Sequence, residues 1–512
     1  MSLKNNIAAN YLGQGWQALM GLAFVPLYLR YLGMEAYGLI GIFALLQAWL
    51  TLIDMGMKPA LGREMARFTA GAHDAQSIRD LLRSIELAGL VIAAGLALGI
   101  WAGSGWLAAH WVTAKHLPLS MVAQAFAVMG MVTALRFLED IYMSSIAGLQ
   151  RQVLQNIVAS ILATARGLGA VAILAWISPT IKAFFLWQGL ISLTTVALYA
   201  SIVYRALPSA PRPACFSRAA LIGVWRFAAG MMAITFLALL LTQMDKILLS
   251  RLLPLESFAH YALAGLVAGG LYSLTGPIIG AYYPRFTQLA AKGDEVPLRA
   301  AYHQGAQLVT VLTGSAAVVL IAFGGRVLRL WTGDPALVQK VAPLMAVLAL
   351  GTLFNTLMWI PYQLQLAHGW TSLTIRVNLV AVSLLVPAIL LAVPVYGPIA
   401  AAWIWVTLNF GYLMFAIPLM HRRLLHTEKW RWYSHDVIMP LAVATAAGLL
   451  CRWVMPQGLS KPGEFSVLLV TSASVLVAAA MTAPVLRDQL FRYLLPGRIK
   501  SLNARPAYQL RP

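Results

Sequence analysis

The chain has 512 residues, 60% of them hydrophobic and only 11% charged, with a net charge of +20 at neutral pH. A soluble chain of this length needs about a quarter of its residues charged to coat its domains, so the composition excludes one. The basic balance is no sign of nucleic acid either, because Lys and Arg are scattered over short segments between apolar blocks, where positive-inside bias and anionic lipid account for them.

The apolar residues come in blocks of about 20, the length that crosses a hydrocarbon core about 30 Å thick. In chain order the expected spans are 8–29, 37–57, 85–107, 118–143, 157–177, 183–204, 222–249, 259–283, 304–324, 339–364, 373–394, 397–419, 437–455 and 465–485. About fourteen membrane helices make this an all-α polytopic protein. Met1–Asn10 holds one Lys, and the apolar run after it is long enough to span, so the first helix is expected to act as its own insertion signal. Gly276-Pro277 and Pro387 interrupt spans, which membrane helices tolerate because neighbours re-satisfy the freed backbone groups. Beyond the last span, Leu486–Leu502 reads as an interfacial amphipathic stretch.

With the N-terminus in the cytoplasm, the inner segments carry most of the Lys and Arg, including Lys58, Arg63, Arg67, Arg79 and Arg83, Arg422 and Arg423, and the basic tail. The outer segments carry far fewer. That asymmetry places both termini in the cytoplasm.

Residues 32–38 (LGMEAYG) align with 253–259 (LPLESFA), and Arg63–Gly71 (REMARFTAG) with Arg285–Gly293 (RFTQLAAKG). Six helices separate the copies, so both halves share one orientation, a parallel repeat known among transporters. The expected organisation is an N-terminal six-helix lobe at 1–205 and a cytoplasmic linker at 206–221. A C-terminal six-helix lobe follows at 222–420, then two additional helices at 421–485 and a basic cytoplasmic tail at 486–512.

Polar residues inside spans are expensive and therefore informative. An Arg or Asp at a helix centre costs about 2.5–3.5 kcal/mol on insertion scales and normally faces a cavity or a partner. Arg166 lies near the bilayer midplane with no carboxylate three or four residues away, so it requires a distant partner or an anionic substrate. Arg136 has Glu139 and Asp140 on its own helix face, and a purely structural pairing with them is one reading. Arg376 begins a span near enough to the cytoplasm to snorkel. Asp245 and Lys246 end the seventh span with Gln243, and Asp54 sits near the inner end of the second; either acid suits ion coupling, and the former pair also suits a helix end. Cys215 and Cys451 fall in a loop and a span, so no disulfide or metal site is expected. No zinc-protease motif, phosphate loop or nucleophile elbow is present and no long outer loop exists to house catalysis, so neither an enzyme nor a cofactor is expected.

The stretch Tyr28–Arg67 (YLRYLGMEAYGLIGIFALLQAWLTLIDMGMKPALGREMAR) resembles the opening of the polysaccharide transporter family, with its YLG…E.YGL turn and the Asp-x-Gly…Arg-Glu pattern after the second helix. Gln243–Leu289 is similar to the same family's mid-chain signature, an Asp-Lys ending helix seven and a Pro-Arg leaving helix eight; it departs at Ala259-His260, where Gly-x-Tyr is more usual. The resemblance implies an O-antigen-type flippase of the multidrug/oligosaccharidyl-lipid/polysaccharide exporter superfamily, in the bacterial inner membrane. It would move a polyprenyl-pyrophosphate-linked oligosaccharide outward by alternating access. Its partners would be that lipid-linked substrate, membrane lipids, and polysaccharide polymerase and chain-length proteins. In that scheme Arg63, Arg67 and Arg285 attract the head group, while Arg166, Arg136 and Arg376 hold pyrophosphate, since guanidinium groups form bidentate charge-assisted bonds. Gln243, Tyr272, Asn355, Trp359 and Gln363 would contact sugars; Asp54, Asp245 and Lys246 would couple ions or gate. A lipid II flippase or a multidrug exporter of the same superfamily are the alternatives.

Overall fold

The computed structural model describes residues 3–53, 56–69, 71, 73–370, 372–456 and 458–488. Among them the chain is helical almost throughout, with one isolated bridge between Thr113 and Pro254 and no strand. Among the described residues twelve helices are long and apolar enough to cross a membrane, so this is a multi-pass membrane protein. The remaining two of the fourteen expected spans coincide with the helices α1 and α8 given below, which are only partly described. The expected interfacial stretch from Leu486 onward lies almost wholly outside the described residues, as does Asp54.

The chain divides into two compact units, Met1–Leu263 with Val382–Ala400, and Ala264–Ala381 with Ala401–Pro512. The first unit opens with α1 (Leu3–Ala23) and α2 (Val25–Ile53). Gly33 breaks α2 with φ 77° and ψ 170°, a conformation essentially reserved for glycine. The apolar run expected at 8–29 is therefore α1 plus the first turns of α2. The bend falls on the Gly of the YLG signature. Two residues on, the Glu35 carboxylate accepts the backbone N–H groups of Lys115, His116 and Leu117, fastening the 113–117 loop to the turn.

Next come α3 (Met57–Thr69), α4 (Ala75–Trp106) continuing through a π-helical turn at Leu107–Trp111, α5 (Leu119–Gly148), α6 (Gln152–Trp176) and α7 (Ile181–Ala206). Hydropathy missed α3 because it does not span. It buries Leu61 and Met65, one helical turn apart, and leaves Arg63 and Arg67 outside. It lies close on α5 because glycines meet there: a Cβ on Gly148 would strike the Gly62 carbonyl. With them pack Ile78, Leu82 and Ile85 of α4, Phe137 and Ile141 of α5, and Val203 of α7. Helix α4 starts ahead of its expected span because its first turns lie outside the apolar window yet bury an amphipathic face. There Arg79 donates to the carbonyls of Leu207 and Pro208 after α7, Asp80 accepts from the Cys215 N–H, and Ser84 Oγ from that of Ser217. The expected linker is thus tied to α4 at several points. Helix α8 (Arg218–Leu252) follows.

Helix α9 (Leu255–Lys292) belongs partly to each unit, as α13 does further on. The second unit holds α10 (Glu295–Thr332), α11 (Pro335–Leu357), α12 (Trp359–Ala367), α13 (Ser372–Tyr396), α14 (Pro398–Gly411), α15 (Ile417–His421), the single turn α16 (Lys429–Arg431), α17 (Met439–Val454) and α18 (Lys461–Thr482). Helix α10 has 38 residues, about 57 Å at 1.5 Å each, well beyond the thickness of the hydrocarbon core. Against its apolar side, Val311, Val318 and Phe323, pack Ala444 of α17 and Leu468, Val475 and Ala479 of α18. Dispersion and burial along that seam hold the last helix pair to α10.

Candidate functional site

In the first unit, charges gather near the middle of α5 and α6. Arg136 lies twelve residues from the C-terminal end of α5, about 18 Å along the helix, deep within an apolar span. The pairing with its helix mates Glu139 and Asp140 that the sequence reading offered is not formed among the described residues. Asp140 takes the Lys58 ammonium of α3 at 2.7 Å, and Glu139 takes the Arg166 guanidinium of α6 at 3.2 Å. Arg166 also reaches Ser192 Oγ of α7 at 3.5 Å, and its carbonyl accepts the Trp187 indole N–H at 3.2 Å. The distant partner that Arg166 requires is a carboxylate within the protein.

The partner set of Arg136 is weaker. Its Nη2 donates to the buried Gln188 Oε1 at 3.4 Å, its guanidinium carbon lies 5.0 Å from the centre of the Phe43 ring, and its buried Nε has no hydrogen-bond partner among the described residues. Among the described residues Arg136 is held by an amide and a π face, and Glu139 and Asp140 act on it only through space. A buried guanidinium bonded to no carboxylate among the described residues is costly and marks a place where an anion is welcome.

In the second unit an amide and aromatic cluster forms. Asn355 Oδ1 accepts from Tyr272 Oη at 3.2 Å and from Trp359 Nε1 at 3.0 Å. Its Nδ2 donates to Asn409 Oδ1 at 2.7 Å, and Asn409 in turn donates to the Trp405 carbonyl at 2.8 Å. The Tyr272 and Trp359 rings lie 5.7 Å apart. Three of the residues expected to contact sugar, from α9, α11 and α12, are brought together. Asn409 of α14 was missed, though an Asn in the apolar run IWVTLNFG was the signal for it. Gln363 is buried on α12 and takes no part in this network among the described residues.

The other expected residues make none of the bonds just given for these clusters among the described residues, and have partners or surroundings of their own. Gln243, in the first unit, accepts from Lys246 at 3.0 Å, and Asp245 Oδ2 accepts from Tyr261 at 2.8 Å. Asp245 Oδ1 is buried with no hydrogen bond among the described residues. Arg63, Arg285 and Arg376 are exposed. Arg67 bonds Glu64 at 3.0 Å, and Glu64 also meets His73 at 2.7 Å. Burial pushes the Glu64 carboxyl up, but the bonds from His73 and Arg67 outweigh it and hold the group below the ordinary carboxylate value. A depressed folded value stabilises the protein fully above the unfolded carboxylate range and loses that contribution as pH falls through the folded value. The thermal stability gap between wild type and Glu64→Gln should therefore be widest near neutrality and close on acidification. A gap independent of pH would contradict the charge-based account.

The family described as "Polysaccharide biosynthesis protein" matches residues 3–290. A relative from Shigella flexneri described as a "Putative O-antigen transporter" is 20% identical over 405 residues, covering 79% of this chain and 94% of the relative. Among solved structures, "Lipid II flippase MurJ, inward closed conformation" superposes with a TM-score of 0.67 at 12% identity, over 96% of this chain and all of that one. An inward-facing multidrug resistance MATE family transporter of the MOP superfamily gives 0.61 at 13% identity, covering 81% of this chain and 96% of that one. These structural likenesses establish the fold.

Proposed function

The chain belongs to the polysaccharide biosynthesis protein family, and from that premise we propose that this transporter is a flippase for a polyprenyl-pyrophosphate-linked oligosaccharide, such as an O-antigen repeat unit. It moves the glycan from the cytoplasmic to the periplasmic leaflet of the inner membrane by alternating access, with the lobes 1–205 and 222–420 as its moving parts. Pyrophosphate and sugars cannot cross hydrocarbon unaided, since an isolated charge costs tens of kcal/mol by Born estimates. The protein must replace their water.

The observation that carries the reading is Arg136, a mid-membrane guanidinium whose described hydrogen bond goes to an amide rather than a carboxylate. A pyrophosphate oxygen arriving there gains a charge-assisted bond from a guanidinium that no described carboxylate already occupies. Arg166 contributes to the local positive field while bonded to Glu139. Arg63, Arg67, Arg285 and Arg376 serve as attracting charges nearer the water. The Tyr272–Trp359 pair offers apolar ring faces to sugar C–H groups, and Asn355 and Asn409 can exchange their mutual bond for bonds to hydroxyls. Gln243 and Gln363 stand as further sugar contacts, and Asp245 with Lys246 as a gate or ion-coupling pair. Polymerase and chain-length proteins would receive the product.

The test is the sidedness of lipid-linked oligosaccharide in a deletion strain, read with a membrane-impermeant glycan label on oriented vesicles. Repeat units should accumulate on the cytoplasmic face, and re-expression should move them outward. Unchanged sidedness with normal surface glycan overturns the reading.

A further inference from the structure

A second buried charged cluster has no part in the reading above. His303, on α10 within the second unit, is 2% exposed and lies between two carboxylates. Its Nδ1 meets Asp436 Oδ2 of the π-helical turn Trp432–Ile438, and its Nε2 meets Glu428 Oε2 at 2.9 Å, just before α16. The rest of the arrangement fixes which atoms donate. Gln307 Oε1 accepts the backbone N–H of Val485 at 3.0 Å, so its Nε2 points to Asp436 Oδ1 and donates there at 2.8 Å. Asp436 therefore accepts at one oxygen and faces the ring with the other. A neutral imidazole donates from one nitrogen only, so both contacts are satisfied together only when the triad holds one extra proton. Whether that proton sits on Nδ1 or on Oδ2, the count belongs to the triad as a whole.

The two halves of the bridge are unequal. Asp436 is fully buried and its second oxygen is already bonded, so it has no route to water. Glu428 has other partners: Arg299 at 3.6 Å and Arg431 at 3.7 Å. Burial pushes its carboxyl up, yet the His303 bond and the Arg431 and Arg299 charges hold it below the ordinary value, so it stays ionised. A surface cavity of about 360 Å³ lies beside it, lined by its partner Arg299 and its chain neighbour Thr427 together with Arg423, Leu425 and His426. Other titratable groups around the triad are Glu295, which Arg299 bonds at 2.8 Å, and Tyr302 on α10, bonded to His421 of α15 at 3.2 Å, with Lys429 and Tyr433 beside them.

We propose that Asp436, His303 and Glu428 form a proton-binding site that clasps the inner end of the last helix pair to α10. With the proton bound, the ring bonds both carboxylates and the 422–428 segment is held. When the proton leaves, the ring keeps its N–H toward Asp436 and turns a lone pair on Glu428. That half opens, and Glu428 passes to Arg299 and Arg431. The seam of α17 and α18 along α10 remains, so the change is confined to the segment that leads into the pair.

Hydrogen–deuterium exchange on the purified full chain, corrected for the intrinsic pH dependence of exchange, tests this in the peptide spanning 422–432. Protection should fall by about tenfold or more as pH is raised, the amount expected for losing one bond to a charged group. The decisive variant is Glu428→Gln. Its side-chain amide can donate to the ring lone pair, so a neutral His303 bonds both neighbours and protection should be retained at every pH. Wild-type protection that does not change with pH overturns the proposal, and so does a Glu428→Gln protein that loses protection over the same range as wild type.

Discussion

Replacing Arg136 by glutamine is expected to lower translocation of the lipid-linked glycan by about ten- to a hundredfold, at undiminished levels of folded protein. The magnitude follows from one charge-assisted bond to phosphate, worth about 1.5–3 kcal/mol. The undiminished folding follows from the geometry: the substitution removes a buried cation whose hydrogen-bonded partner is Gln188 at 3.4 Å and leaves no carboxylate bereft, since Glu139 and Asp140 are bonded elsewhere. Arg136→Lys keeps the charge but loses the planar fork, and should fall between the two. The measurement is glycan sidedness per molecule of protein in the membrane. Wild-type flux in Arg136→Gln would remove this guanidinium from the pathway.

Arg166→Ala should act first on stability. It strands Glu139, whose side chain is 13% exposed, and breaking a buried pair from one side costs about 3–5 kcal/mol. The lower figure is the better expectation, because Arg136 sits one turn away on the same helix and can swing toward the orphaned carboxylate. Adding Glu139→Gln removes the stranded charge, so the double variant should melt close to wild type in detergent. Transport by that double variant then separates two roles. Recovered flux means Arg166 holds α5 to α6; a stable but inactive protein means its charge is used on the substrate. A double variant no more stable than Arg166→Ala would show that the ion pair is not what holds these helices.

Much of the fold was legible because membrane spans obey a blunt rule. Twenty apolar residues cross a bilayer, and the spans read from hydropathy fall on helices in the same order. The turn at Gly33 was legible through the resemblance, whose YLG…E.YGL motif marks it. What hydropathy could not see were the parts outside the hydrocarbon: the amphipathic α3, and the early start of α4. The pairing within the charged cluster was illegible for a different reason. Glu139 and Arg166 sit on neighbouring helices, and whether they meet depends on the register of α5 against α6, which apolar side chains of similar size do not encode. Local proximity along α5 pointed instead to Arg136 as the partner. Asn409 and the His303–Asp436 contact span 54 and 133 residues from their partners. His303 and Asp436 nonetheless carried the same signal as Arg136, an expensive side chain in or beside an apolar run, and that rule applied evenly would have flagged them.

The tie between α4 and the segment after α7 has a practical use. Cys215 is exposed, while its backbone nitrogen is held by Asp80 and its neighbours by Ser84 and Arg79. A spin label or fluorophore attached to that thiol would ride on α4 instead of wandering with a slack connection. The chain's other cysteine, Cys451, is half-buried, so the native protein already carries a selective attachment point for distance measurements during turnover.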